Sequence, residues 1–460
     1  MSGNSTPSAT TCEAACTKAF WRIVPVLFVS YVLCSMDRYN VAFAQIQLRE
    51  ARHITDSIYG LGATLYFTTY VAFAVPANML LRRWGAKRVF FLIMLGWGVS
   101  STCMLLIRTP YEFLAGRLLL GAFEAGFYPG VIYYLGTWFP QTHRSHAFAV
   151  FTSGVTVAGV VVGPLSGWIM TRFHMAAGLA GWQWLFLLEG LPSCLMAFIC
   201  FLVLRQGPSE ATWLSPQERR SLEEALAQDR LAASRQIVPT GRFGMLRSKQ
   251  AYLFALVYFC SISGVYALGF WVPAIIRAYG ATTPLEIGLY SVIPWGLAAI
   301  GTVMISRRSD RMNERRWHCA GALLVGAAAL GLSTLPHLSC SAAMSLLSVG
   351  AVGVIGAIPV FWTIPASAMP AEFAASAVGF INCLGVSSGM IAPLLIGLLK
   401  ERTGSLSPGL WCLVAMLVSG AVLLLVVTRS ARRSPHAAVS PVIADLVRAP
   451  GAHSSIVEER

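Results

Sequence analysis

Asp37 and Arg38 are adjacent near the middle of an apolar run, Val32-Leu33-Cys34-Ser35-Met36-Asp37-Arg38-Tyr39-Asn40-Val41. Arg117 and Glu124 stand in a second apolar run. At bilayer depth each such side chain costs about 2.5–3.5 kcal/mol on insertion scales. Charges are kept there when they face a cavity and act on a solute or a proton. Arg38 suits a carboxylate, because a guanidinium offers two parallel hydrogen bonds and stays charged at any working pH. The competing role is a structural ion pair with Asp37 or Glu124. Those two acids suit a proton: low dielectric favours a neutral carboxyl, and a neighbouring guanidinium favours the ionised one. An anion that takes the arginine therefore changes how tightly the acid holds its proton. Purely structural pairing is the alternative for both acids. Arg117 and Glu124, seven residues apart, share one helix face, and the spacing leaves Arg117 to pair with either acid. Histidine is a poor proton site here, since His53, His143, His146, His174, His318, His337, His436 and His453 all fall in loops, tails or helix ends.

The elements that hold these residues must span a membrane. Of 460 residues, 56% are hydrophobic and 12% charged, against about 25% charged in a soluble domain. Twelve stretches approach the roughly 20 residues needed to cross: 20–44, 57–81, 88–107, 111–137, 145–172, 182–204, 251–276, 286–306, 318–336, 341–368, 374–399 and 409–428. The expected class is an all-α membrane protein of twelve transmembrane helices in two six-helix bundles. Its units are a polar tail (1–19), a first bundle (20–204), a linker with a short helix (205–250), a second bundle (251–428) and a second tail (429–460). In the linker, Ser215-Pro216-Gln217-Glu218 reads as a capping box that starts a charged helix, with Arg219/Glu223 and Arg220/Glu224 spaced to pair. A solvated helix, or one docked on both bundles, would fit it.

The net charge of +14 is distributed as an orientation signal. Arg82, Arg83, Lys87 and Arg88, the linker arginines, Arg307, Arg308, Arg311, Arg315 and Arg316, and finally Arg429, Arg432 and Arg433 fall on one side of a twelve-span chain. The opposite loops carry fewer. This positive-inside pattern places both termini in the cytoplasm of an inner (plasma) membrane protein and argues against nucleic acid as a partner. The polar start holds no cleavable signal peptide. Eleven scattered cysteines read as small buried residues, with Cys12 and Cys16 as tail thiols. There is no metal-ligand cluster, nucleophile with a paired base or phosphate loop, so no enzyme, metal or cofactor is expected. Glycines recur in the fifth and eleventh stretches, as Gly159-x3-Gly163-Pro164-x2-Gly167 and Gly385-x3-Gly389-x3-Pro393-x3-Gly397. Small residues four apart let helix backbones approach closely, and two repeats around a central site is a transporter plan.

On these residues the chain resembles a major facilitator superfamily transporter. More narrowly it resembles the anion:cation symporter family, which includes bacterial carriers of tartrate, phthalate, galactonate, glucarate and hydroxyphenylacetate. The likeness is carried by Asp37 to Ala44, by the string from Gly116 to Gly130 around Arg117 and Glu124, by Gly181-Trp182-Gln183-Trp184-Leu185-Phe186 with Glu189-Gly190-Leu191-Pro192, and by Phe270-Trp271-Val272-Pro273. It departs at Ser35, Ala74 and Arg82, where the family has an aromatic residue, Glu and an acidic residue. The resemblance implies import of a small organic anion with protons, or with Na⁺, by a monomer working through alternating access. It implies Tyr70, Trp362 and Asn382 as cavity residues beside Arg38, and Tyr266 joins them; with Tyr66 these are polar-tipped residues within apolar helices, and helix packing is the plainer role for all five. Glu189 and Glu372 read as caps or pairs near helix ends. The rival within transport is proton-driven efflux, for which Gly163-Pro164 speaks and Trp168, in place of a glycine, speaks against. A substrate sensor that barely transports is a third reading.

Overall fold

The computed structural model describes residues 9–236, 248–368 and 371–431. In the first half α1 (Ala9–Arg52), α2 (Asp56–Trp84), α3 (Ala86–Cys103), α4 (Pro110–Glu124), α5 (Phe127–Trp138), α6 (Gln141–Arg172) and α7 (Gly181–Val203) follow one another. A linker helix, α8 (Pro216–Gln236), precedes α9 (Lys249–Ala278), α10 (Pro284–Arg311), α11 (Arg316–Leu332), α12 (Cys340–Ala368), α13 (Ala371–Val386), α14 (Ser388–Thr403) and α15 (Ser407–Ala431). Every one of the twelve apolar stretches is helical. Among the described residues, eleven helical stretches are long and apolar enough to cross a membrane, and α11 is a shorter apolar helix. This is the all-α, twelve-span fold expected.

Two spans are broken where continuous segments were expected. The fourth divides at Ala125 and Gly126 into α4 and α5. Pro129 supplies no N–H to the Ala125 carbonyl one turn earlier, which removes a helix bond at that point. The eleventh divides at Ser387, whose hydroxyl bonds the Leu384 carbonyl at 2.5 Å and so competes with the helix ladder.

α1 begins at Ala9, inside the stretch expected as a tail. The extension is held by the linker: Lys18 bonds Glu218 at 2.6 Å, and Arg22 lies 5.2 Å from the Trp213 ring centroid. The Ser215–Glu218 capping box forms in both directions. Arg219 turns back to the Ala211 carbonyl at 2.8 Å. Trp213 stacks on Trp138 with centroids 5.6 Å apart, and Asp229 accepts from the Gln141 amide. The linker helix therefore docks on the first half. The second tail, 432–460, lies outside the described residues.

The halves meet at the end opposite the linker. The glycines of both repeats make that meeting possible. A Cβ at Gly163 would stand 2.6 Å from the Gly288 carbonyl oxygen, and one at Gly167 2.5 Å from that of Pro284, so α6 and α10 touch backbone to backbone. A Cβ at Gly389 would strike the Phe67 ring at 2.5 Å, and one at Gly60 would stand 2.8 Å from the Leu394 Cα of α14. The Tyr59 hydroxyl bonds the Phe270 carbonyl at 2.7 Å, and Thr64 bonds that of Met390 at 2.6 Å. Asp56 completes the seal. It is 3% exposed and accepts from Gln45 at 2.9 Å, Arg49 at 2.8 Å and, across the halves, Lys400 at 2.8 Å. Glu401 accepts from the Ser57 amide, and Arg277 reaches Glu50 at 3.4 Å. Among the described residues, the ion pairs between the halves all lie at this end.

Candidate functional site

The site is built where α1, α2 and α4 cross. Asp37 and Arg38 are neighbours on α1, so their side chains leave the helix in different directions. Arg38 turns towards α4. Its Nε and Nη2 both donate to Glu124 Oε2, at 3.2 and 2.9 Å. The Tyr66 hydroxyl bonds the same oxygen. Glu124 Oε1 has no hydrogen-bond partner among the described residues although it is buried. The arginine side chain is 12% exposed and the glutamate side chain fully buried. Arg38 also lies 5.4 Å from the Tyr70 ring centroid and 5.7 Å from that of Tyr66.

Arg117 differs from expectation: it pairs with no acid among the described residues. Seven residues separate it from Glu124, about 10 Å along a helix, and Arg38 and Tyr66 already take the near carboxylate oxygen. Arg117 instead sits 4.7 Å from the Tyr66 centroid, on that ring's second guanidinium contact, and 5.6 Å from that of Phe270. Its Nε and Nη2 are buried without hydrogen bonds. Two guanidiniums thus flank one tyrosine, a favourable use of the ring's negative face, and one of them is left with unmatched donors.

Asp37 also differs: it does not pair with Arg38. It points into the first half, where Ser101 donates to one carboxylate oxygen at 2.6 Å and Ser193 to the other at 2.5 Å. Glu189 does not cap a helix. It lies inside α7, 3% exposed, with Ser166 donating to Oε1 at 2.8 Å. Glu372 lies outside the described side chains. Among the histidines in the described residues, none is buried; His318 pairs with Glu314 at the start of α11.

Of the expected cavity residues, Tyr70 is brought to Arg38. Tyr266 is buried against Phe67, with centroids 4.4 Å apart, and so joins the cluster through a ring of the first half. Trp362 is half-buried and packs on Tyr258 at 4.7 Å. Asn382 is exposed on α13. The cluster also holds Tyr66, whose spacing of four from Tyr70 was a usable signal. Ser101, Ser193 and Tyr258 had none, since serines and tyrosines are scattered through the apolar stretches. Outside the seal lies a vestibule of about 420 Å³ lined by Arg49, Asp56, Arg277 and Lys400 among others; it does not include Arg38.

Comparison with known proteins agrees with this architecture. The family model described as Major Facilitator Superfamily matches residues 27–393. A protein of Pseudomonas putida named putative metabolite transport protein NicT is 37% identical over 88% of this chain and 92% of its own length. A putative tartrate transporter of Agrobacterium vitis is 33% identical over 91% and 92%. A quinolone resistance transporter of Acinetobacter baumannii is 35% identical over 88% and 93%. Among solved structures, a bacterial homologue of the human lysosomal transporter Spinster, in an inward-facing conformation, superposes with a TM-score of 0.72 at 17% identity, covering 93% of this chain and all of that one; this likeness concerns the fold. Such proteins are multi-pass transporters and not enzymes. With the matched model spanning most of the length and relatives above 30% identity, the chain belongs to the Major Facilitator Superfamily.

Proposed function

We propose that the protein imports a small organic anion together with protons, by alternating access, with Arg38 binding the substrate carboxylate. The observation that carries this is the Arg38–Glu124 pair: a guanidinium, part exposed, whose acid partner is fully buried. Its Nε and Nη2 both donate to one carboxylate oxygen. A proton on Glu124 weakens that hold and frees the fork for an incoming carboxylate. Binding of anion and proton then favour each other, which is what symport needs. Tyr70 would present the other face of the arginine, and Tyr266, Trp362 and Asn382 would line the second half of the path. Arg117, under Tyr66, would keep the local potential positive. Asp37, with no guanidinium of its own, would be a second proton site and not a direct competitor for Arg38.

The charge bias places the linker and both termini in the cytoplasm. The sealed end is then the outer face, and the site opens inward. The tartrate relative supports an anionic substrate. The quinolone relative and Gly163-Pro164 favour the second reading, proton-driven efflux. Arg38 argues for a carboxylate-bearing substrate over a purely cationic drug, since a guanidinium pairs with the one and repels the other.

The test is a thermal-shift screen of organic acids and quinolones on purified protein, wild type and Arg38→Ala. Acids that stabilise the wild type and not the variant support the proposal. Stabilisation by quinolones alone, or by acids equally in both proteins, would overturn it.

A further inference from the structure

A polar seam crosses the first half away from Arg38. Asp37 and Asn40 are one turn apart on α1, and Glu189 and Ser193 one turn apart on α7. Ser101 on α3 closes one end at Asp37, and Ser166 on α6 closes the other at Glu189. Asn40 is 0% exposed, Glu189 3% and Asp37 1%. No cation reaches the two carboxyls among the described residues: the arginine of this stretch is committed to Glu124.

The Glu189 end is incomplete as it stands. Glu189 Oε2 makes no hydrogen bond of ordinary geometry, and neither does either atom of the Asn40 amide. Ser193 donates to Asp37 and so sets α7 against α1, which runs the opposite way; one turn on from that bond, Asn40 comes level with Glu189. A buried polar group left unmatched costs about 1–3 kcal/mol, and three such atoms occur together. One proton pairs two of the three. On Oε2 it makes the carboxyl a donor to Asn40 Oδ1. When it leaves, the amide can turn and offer Nδ2 to the carboxylate, because an Asn side chain donates from one end and accepts at the other.

We propose that Glu189 is a further proton-binding carboxyl of this transporter, with the Asn40 amide as its reversible partner. The inference deepens the proton-coupled reading given above and rests on it for the direction of use. α1 runs towards the sealed end and α7 away from it, so Glu189 and Asn40 lie about 5–6 Å nearer that end than Asp37 and Ser193. Glu189 is thus placed between the outer face and Asp37. Packed about this seam are Asp37 and Asn40 from α1, the Ser166 hydroxyl from α6 and, one turn on along α7, Ser193; Asp37 is its other ionisable group. A proton on Glu189 would relieve its repulsion with an ionised Asp37. Occupancy would therefore alternate between the two acids.

The test is infrared difference spectroscopy of the purified, lipid-reconstituted full chain between acidic and alkaline buffer, with no substrate. The wild type should show a protonated-carboxyl C=O band that is lost in Glu189→Gln. Ser166→Ala and Asn40→Ala keep the carboxyl but remove a partner, and should shift that band without removing it. They also carry the test if Glu189→Gln does not fold. A Glu189→Gln spectrum equal to wild type, or a band unmoved in both partner variants, overturns the proposal. Failure of the transport reading would appear elsewhere, in unchanged proton-driven accumulation by Glu124→Gln, and would leave the Glu189 band in place.

Discussion

Lys400→Met should loosen the outer seal about tenfold. Lys400 Nζ is 2.8 Å from Asp56 Oδ1, with the lysine side chain 19% exposed and the aspartate 3%. The pair joins α14 to α2, so it exists only when the halves are closed at that end. Methionine keeps the apolar stem, and the ammonium it removes lies 5.2 Å from the Trp271 ring centroid. Asp56 would retain Gln45 and Arg49, so the loss is that of one contact and not of an orphaned buried charge. Hydrogen bonds to charged groups contribute about 1.5–3 kcal/mol, and exposed ion pairs about 0–1. A pair that is one-fifth open on one side falls near 1.5 kcal/mol, which is about a factor of ten in the ratio of opened to sealed protein. Hydrogen exchange read by mass spectrometry reports this directly. Peptides covering 56–66 and 388–400 should exchange about tenfold faster, while those of α3 and α7 should not change. Asp56→Asn should do at least as much, and the double variant little more than Asp56→Asn alone, since both remove one interaction. Unchanged exchange in Lys400→Met would show that the pair contributes nothing to closure.

Other outcomes follow from the same geometry. Gly163→Ala places a Cβ 2.6 Å from the Gly288 carbonyl oxygen and should prevent closure of α6 on α10, raising exchange in both; Gly296→Ala, where a Cβ meets nothing within 4 Å, should have no effect. The hydrogen bond from Lys18 holds the Glu218 carboxyl below its ordinary range; a lowered folded-state value means that linker docking is at full strength above the usual glutamate range and weakens as pH falls through the lowered value. Protection of residues 205–231, taken relative to the intrinsic exchange rate at each pH, should therefore fall on acidification, and much less so in Glu218→Gln. A cysteine at Thr212 should resist an impermeant thiol reagent in intact cells, and one at Thr282 should react, both positions being exposed; the reverse would invert the topology. Arg38→Lys keeps the charge and loses the fork, so affinity for a stabilising acid should fall about thirtyfold or more in calorimetry, as for truncation of a hydrogen-bonded charge pair; equal affinity would move the anchor elsewhere.

The spans were legible because a bilayer imposes length and apolarity on each of them. The breaks at Gly126 and Ser387 were not, because they depend on single missing or diverted backbone bonds. Arg38 and Glu124 stood out as costly charges. Their pairing was one of two options left open, Asp37 being the other, since residues 86 positions apart meet only through packing. Adjacency misled for Asp37, because successive helical residues face different ways, and spacing misled for Arg117, because a shared face is not contact. Glu189 read as a cap or a pair near a helix end, yet it lies more than two turns inside α7. The repeated glycines marked real helix contacts. That those contacts seal one end could not be read from a motif, which carries no information on which helix it meets.

The central claim is that Glu124 exchanges a proton in step with anion binding at Arg38. The most direct test is accumulation of a labelled organic acid, chosen as the strongest stabiliser in the thermal-shift screen, into proteoliposomes under an imposed proton gradient. Wild type should concentrate the acid. Glu124→Gln, fixed in the uncharged form, should fail to concentrate it while still exchanging internal for external acid, because exchange needs no proton release. Accumulation by Glu124→Gln equal to that of wild type would contradict the account.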